Sequence, residues 1–238
     1  MARTAQLSLP LVMPAQAQKH VTVNEALARL DAAAQLRVHS SQVAIPPASA
    51  VDGTSYLIPQ HATGSWEDKA GQVAVWCNGG WVYLAPRAGW RAWDDSLAGH
   101  QTFDGSGWVP HAVTVSSNGA AMAWRVIEFN HVVSAGPVNH TSVSIPASAQ
   151  VVGVTGRVVS ALSGPGLASW RVGVAGSENR YGSGLGTGLN SYLLGLSGAP
   201  VTYYATTPLL IGAEGGSFAT GVVRLALHIV ELTPPRAV

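Results

Sequence analysis

At 238 residues the chain exceeds one average domain and is short for two large ones. Hydrophobic residues make up 47% and charged ones 11%, against roughly 25% in an ordinary soluble domain, so copies of the chain or another protein are expected to cover much of the surface. The net charge of +1 argues against nucleic acid and anionic membrane as partners, and the single cysteine, Cys77, excludes an internal disulfide and a thiolate metal cluster.

No secretion signal is read at the N-terminus. Arg3 is followed by polar residues, and the apolar run at 9–13 is interrupted by Pro10 and stopped by Pro14. No stretch approaches the ~20 apolar residues that span a bilayer. The sequence therefore predicts synthesis in the cytoplasm and no membrane insertion, with the product either staying soluble there or leaving without the secretion route.

Residues 1–21 alternate short apolar and amide residues around prolines, which predicts an extended arm. Thr22-x-x-Glu25 has the form of a capping box, so a helix is expected from Val23 to about Arg37. Leu27, Leu30, Ala34 and Val38 recur at three and four and mark its apolar stripe. A proline-rich linker follows at 44–53. Short strands with glycine turns come next, and Asn78-Gly79 suits the positive φ angles of a tight hairpin. Six of the eight tryptophans lie between Trp66 and Trp108. In so small a segment they are expected to form the core, with an aromatic sugar platform as the alternative.

From about residue 131 the chain reads as five to eight strands between Gly/Pro/Ser turns, which predicts a jelly-roll-like β-sandwich. Arg224, Ala226, His228 and Val230 alternate with Leu225, Leu227, Ile229 and Glu231, the mark of a strand with two distinct faces. The expected fold class is mainly β. Its parts are an N-terminal arm and helix (1–40), a small Trp-cored β-domain (41–112), a connector (113–130) and the sandwich (131–238).

The segment "YGSGLGTGLNSY" at 181–192 repeats glycine at every second position. A phosphate cradle requires a helix after the glycines and a P-loop requires Gly-Lys-Ser/Thr, and neither is present. The segment reads as a flexible surface loop of the kind that carries recognition. The eight histidines show no metal-ligand spacing. The carboxylates Asp94, Asp95, Asp104, Glu128, Glu178 and Glu214 lie in no recognisable catalytic setting, and Asp94–Asp95 reads as a turn whose acids cap amides. No catalytic residue, metal or cofactor is expected.

The runs "LPLVMPAQAQKHVTVNEALARLDA", "DGTSYLI" and "ATGSWEDKAGQVAVWCNGGWVYLAPRAGWRAWD" resemble an uncharacterised domain family of alphaproteobacterial prophages and gene transfer agents, over residues 9–110. The remainder is similar to the β-rich tips of gene-transfer-agent head spikes. This resemblance implies a head spike or fibre protein on the surface of a phage-like particle. Such a protein would bind the capsid or another spike protein through its N-terminus and host capsular polysaccharide through its C-terminal domain. It also implies a homo-oligomer, a trimer in preference to a pentamer. The candidate attachment residues are Pro14, Gln16, Gln18, Lys19, His20, Asn24, Leu27 and Leu30. The candidate glycan-binding residues, grouped around the glycine segment, are Trp170, Arg180, Tyr181, Asn190, Tyr192, Tyr203 and Tyr204. The alternatives are a structural base or connector without glycan binding, and a capsule depolymerase.

Overall fold

A computed structural model describes residues 3–4, 9–12 and 19–237, with the side chains of 19–22 excepted. The chain is mainly β and divides into two compact units. Residues 1–121 and 234–238 make the first, and residues 122–233 the second.

In the first unit the helix α1 spans Lys19–Ala34. It begins four residues earlier than the capping-box reading places it, so Thr22 lies inside it and Glu25 pairs instead with Arg29, one turn on, at 2.6 Å. Its fixed point is a pair of hydrogen bonds from Asn24 to the arm. The side-chain oxygen accepts the Val12 amide at 2.8 Å, and its NH2 donates to the Val12 carbonyl at 3.0 Å. The expected apolar stripe is also displaced. Leu30 is 54% exposed, while Ala32 and Asp31 are buried. Asp31 is tolerated there because the Thr4 hydroxyl donates to it at 2.7 Å. The arm doubles back on itself, the Thr4 amide donating to the Leu9 carbonyl.

After the helix come β1 (Arg37–Val38), β2 (Ser55–Leu57), β3 (Val73–Cys77), β4 (Gly80–Leu84), β5 (Arg91–Asp94), β6 (Gly99–Phe103), β7 (Trp108–Pro110) and β8 (Ala112–Val115). One antiparallel sheet has the order β2-β3-β4, and a second has the order β1-β5-β6-β7 with β1 parallel to β5. The β3–β4 hairpin turns at Asn78 and Gly79, both at positive φ, as "CNGG" predicts. Trp66 is fully buried and stacks edge-on against Trp81, with ring centroids 5.1 Å apart, and Tyr56 packs on both. Those rings form the core of the small sheet.

Two buried carboxylates hold the turns of the other sheet. Asp94 accepts the Ser96 amide and hydroxyl and the Gln101 side-chain amide. Burial pushes its carboxyl up, but these hydrogen bonds and one from Ser41 outweigh burial and hold it below the usual range. Asp104 accepts the Ser106 and Gly107 amides and the guanidinium of Arg236 from the C-terminal tail.

The second unit holds β9 (Ala121–Val132), β10 (Val138–Ile145), β11 (Ala149–Ser163), β12 (Ser169–Val174), β13 (Ser177–Leu185), β14 (Tyr192–Tyr203), β15 (Thr207–Glu214) and β16 (Thr220–Thr233). β9 starts one residue before the unit boundary. One sheet runs β10-β15-β12-β13, and in the other β14, β11, β16 and β9 lie side by side. Counting the eight strands from one, these orders are 2-7-4-5 and 6-3-8-1, the arrangement of a jelly roll. The region expected to be a connector holds β8 and most of β9. The core between the sheets contains Val151, Val154, Val158, Trp170, Leu209, Ile211, Phe218, Leu225 and Leu227.

Arg236 ties the C-terminal tail to its own unit through the Asp104 carboxylate and the Ser117 carbonyl, while its amide donates to Asn118. Burial raises the Asp104 carboxyl. The Arg236 bond and the two amides more than offset this, so its pKa lies below the usual carboxylate range. Stability from a depressed carboxylate is present above its unfolded pKa and is lost as pH falls through the folded value. Arg236→Ala is therefore expected to destabilise this unit by about 1.5–3 kcal/mol at pH 7. In urea denaturation the deficit relative to wild type should shrink as pH falls through the acid range. An equal deficit at every pH would contradict the clasp.

Candidate functional site

The outer face of the sheet containing β14, β11, β16 and β9 carries two adjoining grooves. Alternation along each strand determines what faces outward. On β14, Leu193 is buried while Tyr192, Leu194 and Leu196 are 69, 75 and 77% exposed. On β9 the outward row is Met122, Trp124, Val126 and Glu128, all exposed. On β16 Arg224, Ala226 and His228 face out and Leu225, Leu227 and Ile229 face in, as the alternation predicts. β11 contributes Val152, Thr155 and Arg157.

Backbone register lines these residues up in rows across β14, β11 and β16. Tyr192 pairs with Arg157 and Arg157 with Arg224; Leu194 pairs with Thr155 and Thr155 with Ala226; Leu196 pairs with Gly153 and Gly153 with His228. Leu194, Thr155, Leu196, Gly153 and His228 of the last two rows, with Trp124 and Val126, line a largely apolar groove of about 310 Å³. Its polar groups include Arg125 and a 2.9 Å hydrogen bond between Thr155 Oγ1 and His228 Nε2. The first row, with Glu128, Val159 and Leu194, lines a more open and polar groove of about 420 Å³. There Arg157 donates to the Asn190 carbonyl at 3.1 Å, and Arg224 donates to Asn130 Oδ1 at 2.9 Å with Glu128 3.9 Å away. Glu128 is the one carboxylate among the described residues lining this groove.

The structure divides the sequence-predicted glycan residues. Trp170, Tyr181 and Tyr203 are buried. Trp170 fills the core and donates its indole N–H to the Gly186 carbonyl at 3.0 Å, and the two tyrosine hydroxyls bond each other at 2.8 Å. Burial pushes the Tyr181 hydroxyl well above its ordinary value, and the Tyr203 hydrogen bond adds to this. None of these three rings offers a face to a sugar. Arg180 and Asn190 are exposed, and Tyr204 is 87% exposed, but none of these three lines the groove. Tyr192 alone of the seven lines it.

The glycine segment is correspondingly less of a loop than it reads. Residues 181–185 belong to β13, and the connection at 186–191 is tied down. The Leu162 amide donates to the Thr187 carbonyl, the Asn190 amide to the Val158 carbonyl, and the Val158 amide to the Ser191 carbonyl. Sequence reasoning missed Arg157, Arg224, Trp124 and the leucines of β14. Arg224 carried a signal, a charge on the outward row of an alternating strand, but its pairing with Arg157 depends on register.

Of the attachment residues, Pro14, Gln16 and Gln18 lie outside the described residues, and Lys19 and His20 lie at the start of α1. Leu27 is half-buried, and Asn24 grips Val12. The other carboxylates have structural partners: Asp95 with Arg37, Glu178 with Arg171, and Glu214 with the Ser169 hydroxyl and the Gly184 amide. Among the described residues no group of His, Cys, Asp and Glu side chains is placed to hold a metal, and no helix is long and apolar enough to cross a membrane.

Residues 23–109 match a family described as "Protein of unknown function (DUF2793)". No curated protein matches the chain. A solved structure titled "Cyanophage Pam1 capsid asymmetric unit" aligns with 47% of this chain and 84% of its own at 21% identity. The TM-score is 0.32, and this likeness carries no argument.

The placement of the aromatic residues has a direct energetic consequence. Trp170→Ala should cost about 3–5 kcal/mol in chemical denaturation, whereas Tyr204→Ala should stay within about 0.5 kcal/mol of wild type. Equal costs would contradict the assignment of one to the core and the other to the surface.

Proposed function

We propose that the chain is a surface protein of a phage-like particle, a head spike or fibre. In this reading it attaches through its N-terminal arm and helix and adheres to host capsular polysaccharide through its jelly roll. The N-terminal resemblance supports the particle assignment. The observation that carries the adhesion reading is the row Tyr192–Arg157–Arg224 along an open groove. An exposed tyrosine ring gives a flat apolar face to a sugar, and guanidinium donors beside it suit hydroxyl and carboxylate oxygens. A groove with one carboxylate suits binding rather than the two-carboxylate hydrolysis of a glycosidase. Tyr192→Ala combined with Arg224→Ala should reduce binding of the purified protein to capsulated cells at least tenfold, with the fold intact by circular dichroism. Undiminished binding would remove the groove from the adhesion site.

The apolar half of the face supports a homo-oligomer. Antiparallel sheets commonly keep one face polar, yet Met122, Trp124, Val126, Leu194 and Leu196 are 40–77% exposed on one side of this sheet. Trp124 alone can bury ~150–250 Å², and the four aliphatic side chains beside it extend an apolar patch of the kind that marks a protein interaction site. The occupant we assign is a second copy of the chain. Sedimentation of the full chain should give a multiple of the monomer mass, and Leu194→Glu with Leu196→Glu should give the monomer. A monomeric wild type, or a double variant that stays assembled, would contradict this.

A further inference from the structure

We infer that the polar groove selects an acidic polysaccharide, one whose repeating unit carries a carboxylate. This rests on the adhesion reading and deepens it, because nothing in that reading states the charge of the sugar.

Register places Arg157 and Arg224 directly opposite each other on adjacent antiparallel strands. Like charges in that position repel and destabilise a sheet, so the pair is unfavourable for folding. In a chain with so few charged residues, two guanidiniums on one outward row are a local concentration of positive charge. Among the carboxylates of the described residues, Glu128 is the one that pairs with them, at 3.9 Å from Arg224 and itself 63% exposed. The row therefore carries two positive charges against one negative. Each guanidinium has five N–H donors. Arg157 uses one on the Asn190 carbonyl, and Arg224 uses one on Asn130. The remaining donors are available to a ligand, and the planar fork of arginine matches a carboxylate bidentately. Tyr192 continues the row, next to Arg157, so a sugar ring resting on the tyrosine brings a ring carboxylate to the guanidiniums. The groove is open to solvent. The chain's net charge of +1 gives no general attraction for polyanions, so any preference for acidic sugars must arise locally at this row.

The test compares three uronate polymers (polygalacturonate, alginate and hyaluronan) with neutral dextran, using the full-length protein in surface-binding measurements from 50 to 500 mM salt. At least one uronate polymer should bind, more weakly as salt rises, and dextran should not. Arg157→Gln with Arg224→Gln should weaken that binding at least tenfold. Its melting temperature should be unchanged or raised, because a repulsive pair is removed. Arg157→Lys should bind more weakly than wild type despite its retained charge. Binding of none of the uronates, equal binding of dextran, or undiminished binding by the double glutamine variant would overturn the inference. If capsulated cells are bound while all three uronates are not, the acidic specificity fails and adhesion stands. If neither is bound, the adhesion reading itself fails.

Discussion

Where β13 passes β14, the backbone of Gly195 lies so close to the Tyr181 carbonyl that a β-carbon there would stand 2.2 Å from the oxygen. Only glycine fits. This contact determines the phase of β14, because the residue against β13 must be Gly195 and its neighbours must alternate from it. Leu193 then enters the core, and Tyr192, Leu194 and Leu196 face outward. A slip of one residue would reverse every side chain on the strand. The buried Tyr181–Tyr203 hydroxyl pair joins the same two strands and reinforces the contact. The part of the outer face that β14 supplies to both grooves, Tyr192 and the two leucines, follows from this close approach.

That face does two kinds of chemistry along one strand. Its apolar rows suit a dry protein surface, while the Tyr192 row suits a solvated ligand with hydrogen-bond acceptors. Leu194 borders both, so the proposed self-association along the apolar half would leave the polar row at the rim of the interface. An oligomer built in this way would present several such rows together, and weak individual contacts to a repeating polymer would gain from multivalency.

Local chemistry was legible in the sequence, and pairing between distant segments was not. The "CNGG" turn depends on two residues with positive φ, and the alternation of β16 depends on its own side chains, so both could be read directly. The mainly β class and the sandwich followed from the same signals. β9 was hidden because Met122, Trp124 and Val126 make its outward face apolar as well, which erases the period-2 contrast. β13 was hidden because alternate glycines resemble a loop, although the backbone ladder forms without side chains. The start of α1 was misplaced because Thr22 and Glu25 satisfied a local rule. The arm's actual hold on the helix, Asn24 on Val12, spans twelve residues. Of the seven residues expected around the glycine segment, Tyr192 is the one whose neighbourhood in sequence also places it in the groove lining. Arg157 and Arg224 meet only through the β11–β16 register, and no local pattern carries that information.

The proposed function implies an orientation: N-terminal arm and helix toward the particle, jelly roll outward with the Tyr192–Arg157–Arg224 row open to solvent. A cryo-EM map of assembled particles containing this chain tests it most directly. The account predicts density for α1 against the particle body, jelly rolls at the distal end of an oligomer packed through Trp124 and Leu196, and an accessible polar groove. A jelly roll seated on the particle with that groove buried would contradict it.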